Sequence, residues 1–214
     1  MNRQENILVC FALKEEAAPF QKLTVGTEGI SARLTGIGRV NAEKTIRECL
    51  AARSPGLVLT CGFAGGLNPK LQIGDVVFRT VDPELDARLA SAGAKPGSFY
   101  CASRIAVTKA EKQALRQSSG ADAVEMESEA IQAVCRERGV RCATVRAISD
   151  TADDDLPLDF NQLSKPDMSL DFGKLAIAIL GRPGKVPSLM RLQKNCRTAA
   201  ERLAAVLVKV IQRR

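Results

Sequence analysis

Apolar residues along this chain alternate between short unbroken runs and longer stretches where they recur every three or four positions. The run at 7–12 (ILVCFA) is the first of these, and similar runs stand at 57–61 (LVLTC), 76–78 (VVF) and 142–148 (CATVRAI). Unbroken apolar runs of that length suit strands buried on both faces of a parallel sheet. Helical spacing fills the intervals. Asn41 is placed to cap a helix whose apolar positions are Ala42, Ile46, Cys49 and Leu50. A second helix is predicted over 126–138, stopped by Gly139. A third, over 188–211, puts Leu189, Leu192, Cys196, Ala199, Leu203, Val206 and Val210 on one stripe. Strands alternating with helices predict an α/β fold with a mostly parallel central sheet flanked by helices. The polar stretch 151–169 reads as a long loop of the kind that usually serves function, and PGKVP at 183–187 separates the last two helices.

Composition narrows the class. A length of 214 residues suits one domain spanning 1–214, and hydrophobic and charged fractions of 45% and 26% are those of an ordinary globular protein. The 7 cysteines form no C-x-x-C pair, which favours reduced core thiols and a cytoplasmic location. No apolar run reaches the roughly 18 residues that span a bilayer. Lys and Arg outnumber Asp and Glu by 31 to 24, and the excess gathers late, in Lys185, Arg191, Lys194, Arg197, Arg202, Lys209, Arg213 and Arg214. That pattern reads as the outer face of a helix. A single Tyr and no Trp weigh against base stacking, so no nucleic-acid partner is expected.

The absence of histidine removes the commonest general base and metal ligand, leaving acid–base chemistry to carboxylates. Two glycine clusters follow predicted strands, Gly36-Ile37-Gly38 and Gly62-Phe63-Ala64-Gly65-Gly66. Neither is a cofactor fingerprint: Asn41 stands where a dinucleotide motif needs its third glycine, and no phosphate loop with its lysine is present. No cofactor or metal is expected. Carboxylates stand at element ends: Glu15 and Glu16 after the first strand, Glu125 and Glu127 flanking Met126, and Asp150 closing the run VRAIS. Each alone could simply favour a helix N-terminus. Jointly they point to one edge of the sheet.

The segments FALKEEAAPF, TGIGRVNAEKTI, TCGFAGGLNPKLQIGDVV, AVEMESEAI and VRAISDTAD, in this order, resemble the successive signatures of the nucleoside phosphorylase and nucleosidase superfamily, in particular its methylthioadenosine/S-adenosylhomocysteine nucleosidases. The resemblance implies a mixed sheet forming a partly closed barrel, a homodimer or larger assembly, and a small-molecule nucleoside substrate. It implies that Glu16 activates the attacking water, that Glu127 accepts hydrogen bonds from the ribose hydroxyls with Met126 against the sugar, and that Asp150, beside Ser149, protonates the purine. Phe63, Ala64 and Gly65 would line the base and sugar pocket. The proton donor is expected in a dry pocket, and Glu127 is expected to stay ionised. Arg39 is the candidate for phosphate if the reaction is phosphorolysis; Glu16 would repel that dianion and favours hydrolysis. A nucleoside-binding module without turnover is the other alternative, against which the retention of all three carboxylates argues. Between the strand run ending at Phe78 and Val124, only Phe99 and Tyr100 are available to stack on a base. The segment LGRPGKVPSLMRLQKNCRTAAERL resembles phosphorylase-like proteins associated with hopanoid synthesis.

Overall fold

The computed structural model describes residues 6–165, 168 and 171–212. In chain order the elements are β1 (Ile7–Phe11), α1 (Lys14–Leu23), β2 (Ile30–Leu34), α2 (Arg39–Ala52), β3 (Leu57–Gly66), β4 (Val76–Thr80), α3 (Pro83–Ser91), β5 (Lys95–Pro96), β6 (Phe99–Cys101), α4 (Lys109–Ser119), β7 (Ala123–Glu125), α5 (Ser128–Glu137), β8 (Arg141–Asp150), α6 (Phe172–Leu180) and α7 (Val186–Gln212), with a 3-10 turn at Pro183–Lys185 before α7.

The central sheet runs β2-β1-β3-β8-β4-β5. The first four strands are mutually parallel, β1, β3 and β8 as their apolar runs predict, whereas β4, formed by the similar run VVF, enters antiparallel to β8. A short arm branches off, β7 pairing antiparallel with the end of β3 at Gly65 and Gly66, and β6 lying parallel to β7. The sheet stays open between its edge strands β2 and β5, so the barrel implied by the resemblance is here an open mixed sheet with a side branch.

Helices cover both faces. On one, Ala17 and Phe20 of α1 and Leu203, Leu207 and Val210 of α7 bury against Val9, Leu59 and Val145. On the other, Ala42, Ile46 and Leu50 of α2 meet Ile131 and Val134 of α5 over Leu8 and Val58. Alternate residues of one strand thus feed opposite layers, which fixes the register: a one-residue slip would exchange the two cores.

Helix α2 begins at Arg39, two residues before the expected cap. Gly38, at φ +88, occupies the cap position, while Asn41 donates from its amide to the Ile37 carbonyl. Between Val77 and Val124 the chain forms α3 to β7, whose strands of two or three residues are too short to show periodicity. Within the expected loop 151–169, residues 151–165 are turns and irregular chain, and 166, 167, 169 and 170 lie outside the described residues. None of the described helices is long and apolar enough to cross a membrane.

Candidate active site

Strands β3 and β8 run parallel for their whole length, and both extend past the apolar core with their carboxyl ends side by side. The carboxyl edge of parallel strands is where open α/β sheets bind ligands. Gly62 lies opposite Arg146, and Gly65 opposite Asp150 after a register shift at Ala64/Gly65. The first turn of α1 brings Glu16 to this edge, and the start of α5 brings Glu127.

Arg146 is the hub. Its side chain is 1% exposed, and its guanidinium pairs with Glu125 Oε2 at 2.6 Å and Glu127 Oε2 at 3.2 Å while donating to the Cys61 carbonyl and the Thr60 hydroxyl. A buried guanidinium holds only when paired, and these contacts supply its partners. Glu125 is further held by the Glu127 and Ser128 amides and the Ser128 hydroxyl, which fixes the turn into α5. The second oxygen of Glu127 accepts from the Gly38 amide at 2.9 Å, tying α2 to α5. Glu16 accepts from the Leu13 amide at 2.8 Å and the Phe63 amide at 2.8 Å, so one carboxylate spans the start of α1 and the glycine-rich end of β3.

These carboxylates share one guanidinium, and they divide. Burial pushes the Glu16 carboxyl up to about 7, against the pull of Arg146. Burial also raises Glu127, with Arg146 again opposing; the expectation of a freely ionised Glu127 thus meets a counteracting desolvation. Glu125 is buried too, yet its contact with Arg146 and its amide donors carry it below the usual carboxylate value. Glu125 and Arg146 therefore form the structural ion pair, and Glu16 is the group poised to take a proton near neutrality.

Asp150 ends β8 at 8% exposure, the dry environment expected of it. Oδ1 accepts from the Ser149 hydroxyl at 2.8 Å, and Oδ2 pairs at 2.5 Å with Lys112, which is fully buried in α4. Lys112 spends its other protons on the Thr151 and Asp154 carbonyls, at 2.8 and 2.9 Å. It therefore fixes both Asp150 and the start of the following loop. A narrow cleft beside Asp150 is lined by Leu156 and Pro157 of that loop and by Ser188, Arg191 and Asn195 of α7. A larger depression, between Leu50, Pro55, Gly56 and Arg138, lies at the opposite end of β3 and holds none of the buried carboxylates.

The structure brings together Glu16, Phe63, Ala64, Gly65, Glu127, Ser149 and Asp150, with Met126 buried between Glu125 and Glu127. Arg39 stands apart: its side chain is 64% exposed and faces Glu129 at 3.7 Å. Sequence reasoning missed Arg146, Glu125 in its pairing role, and Lys112. A lone arginine inside the apolar run CATVRAI was a usable signal, since an unpaired charge would not survive there. Lys112 gave none, being one of two lysines on a polar helix.

Gly62 is obligatory. At φ +152 it adopts a backbone that side chains rarely take, and an added Cβ would lie 2.6 Å from Arg146 Nη1 and 2.7 Å from Glu16 Oε1. Gly62→Ala should push Glu16 and Arg146 apart and lower catalytic turnover by about tenfold or more, since small misplacements of reacting groups are costly. Steady-state kinetics on the folded variant checks this.

Comparison with known proteins adds the following. A family model described as Phosphorylase superfamily matches residues 12–81 and 78–212. A 5'-methylthioadenosine/S-adenosylhomocysteine nucleosidase of Glaesserella parasuis is 29% identical over 162 residues, covering 60% of this chain and 70% of the relative. Among solved structures, Helicobacter pylori MTAN, a mutant with 5'-methylthioadenosine in the active site, superposes with a TM-score of 0.75 at 19% identity over 99% of this chain and 100% of that one. Futalosine hydrolase of the same species reaches 0.73 at 20% identity, covering 99% of both chains. At these identities the superpositions show that the fold is shared.

Proposed function

The chain belongs to the phosphorylase superfamily, and from that premise we propose that it hydrolyses the N-glycosidic bond of a purine nucleoside, a 5'-substituted adenosine of the methylthioadenosine type. The observation that carries this reading is Glu16: a buried carboxyl near half-protonation at neutral pH, oriented by two amides beside Glu127. The names of the relatives support the substrate class.

Cleavage sends the bonding electrons of C1'–N9 into the base and builds positive charge on the ribose. Glu127, with Met126 beneath the sugar, accepts from the ribose hydroxyls and places negative charge close to that cation. Asp150 passes a proton to the purine N7, drawn from the Lys112 ammonium paired with its Oδ2, so that a neutral base leaves. Lys112 and Ser149 fix the orientation of its carboxyl. Water attacks C1', its oxygen forming the new bond, while Glu16 takes the released proton. Backbone at Phe63, Ala64 and Gly65 lines the pocket; a Cβ at Gly65 would come within 3.1 Å of Asp150 Oδ2. The buried cation is already engaged by carboxylates and Arg39 is directed at Glu129, which favours water over a phosphate dianion.

The decisive experiment incubates the protein with methylthioadenosine, S-adenosylhomocysteine, adenosine and inosine, with and without phosphate, and follows the released base chromatographically. Base release without phosphate is expected; release only with phosphate would replace hydrolysis by phosphorolysis, and no release from any of them would overturn the reading. Because Glu16 acts as its anion, kcat/KM should rise as pH is raised through about 7 and fall on the acid side. Profiles from about pH 5 to about pH 9 test this, and an acid limb near the ordinary carboxylate range would remove Glu16 from the role.

A further inference from the structure

No described side chain within residues 173–198 is buried, although the stretch holds the most apolar helix of the chain. In α6 (FGKLAIAIL), Ile177 and Leu180, three residues apart on one face, are 73% and 81% exposed. Past the 3-10 turn, Val186 and Met190, four apart on α7, are 38% and 65% exposed. An apolar helix face in a globular protein ordinarily lies against something. Charge accompanies it: Lys174, Arg182, Lys185, Arg191, Lys194 and Arg197 are all exposed, and no Asp or Glu occurs between Asp171 and Glu201. Arg197 pairs with Glu201, whereas Arg182, Lys185 and Lys194 make no ion pair among the described residues.

We propose that α6 and the first turns of α7 form a docking surface for an anionic lipid bilayer. Exposed aliphatic side chains flanked by unopposed lysines and arginines are the composition of a segment lying in the membrane interface, apolar groups at the acyl boundary and cations among the headgroups. The same features disfavour other occupants. A two-fold contact with a second copy would set this patch against itself, cation against cation. Nucleic acid would use the cations but gain nothing from Ile177 and Leu180, and no described side chain in 173–198 is aromatic. Arg191 also lines the cleft beside Asp150, so the docked face would adjoin the site.

The test is cosedimentation of the full chain with vesicles of phosphatidylcholine alone and with roughly a third phosphatidylglycerol. Retention is expected on the anionic vesicles only, weakening about tenfold or more as salt rises from roughly 0.05 to 0.5 M. The pair Ile177→Asp and Leu180→Asp should lower retention at least about tenfold. So should Arg182→Glu with Lys185→Glu, whose exposed positions the fold does not use. Both variants should keep the far-UV spectrum and base release from a soluble nucleoside. The proposal is overturned if wild type is not retained, if either folded variant is retained as well as wild type, or if neutral vesicles retain it equally. It is also overturned if sedimentation velocity without lipid shows an oligomer that the Asp variant dissociates, or if the cations hold duplex DNA but not vesicles.

Discussion

Glu16→Gln should abolish most of the base release, by about 10²–10⁴-fold in kcat, the range general-base catalysis usually contributes, with KM changed far less. The amide cannot take a proton from water, and its –NH2 would face the Leu13 or Phe63 amide that the carboxylate now accepts from. Stability separates this effect from unfolding. A carboxyl raised in the folded state from 4.5 to about 7 favours folding most when protonated, so its contribution is fully present below its unfolded value and is lost as pH rises through about 7. The Gln variant should therefore melt no earlier than wild type at about pH 8, despite being nearly inactive. A variant that kept turnover within a few-fold would remove Glu16 from the mechanism.

Arg146→Met should cost about 3–5 kcal/mol in stability, the usual penalty for removing one partner of a buried ion pair. Glu125 and Glu127 would lose their shared cation where water cannot replace it. Urea unfolding at neutral pH measures the loss. Adding Glu125→Gln to Arg146→Met should recover part of it, because the stranded charge disappears, and the double-mutant cycle isolates the coupling. In whatever fraction folds, the acid limb of kcat/KM should move above about 7, since Arg146 is the principal group holding Glu16 down. If Arg146→Met unfolds at the wild-type urea concentration and slope, the ion-pair hub carries no stability.

The sheet core was legible because β1, β3, β4 and β8 are continuous apolar runs, and burial on both faces leaves such a run few alternatives. The extension of β3 and β8 beyond their apolar parts was not legible: the glycine-rich Gly62 to Gly66 and the polar Ser149-Asp150 are poor in strand propensity and are held by pairing with one another. Antiparallel entry of β4 was hidden too, since VVF carries no sense of direction. For the site, Glu16, Glu127 and Asp150 stood out as acids at element ends, and the resemblance attached roles to them. Their partners depend on the fold. Lys112 is 38 positions before Asp150 in number and adjacent only because the fold brings its ammonium to the end of β8. That a desolvated Glu16 and an ion-paired Glu125 differ in proton affinity follows from where one guanidinium points, which no spacing encodes.

The pairing of β3 with β8 has a consequence for the order in which the chain matures. Strands β1 to β3 come from the N-terminal third, but the strand completing the site's edge is supplied by residues Arg141–Asp150, after seven intervening elements. During synthesis Glu16 and Gly62 of β3 precede Arg146, and the acidic turn at Glu125–Glu127 precedes it too. Closure of so distant a contact is slow and comes late. A nascent chain released before β8 would hold carboxylates with no counter-charge and an exposed edge on β3. Such a fragment should be sticky and inert, whereas the finished chain acquires its charge balance and its catalytic geometry in the same event.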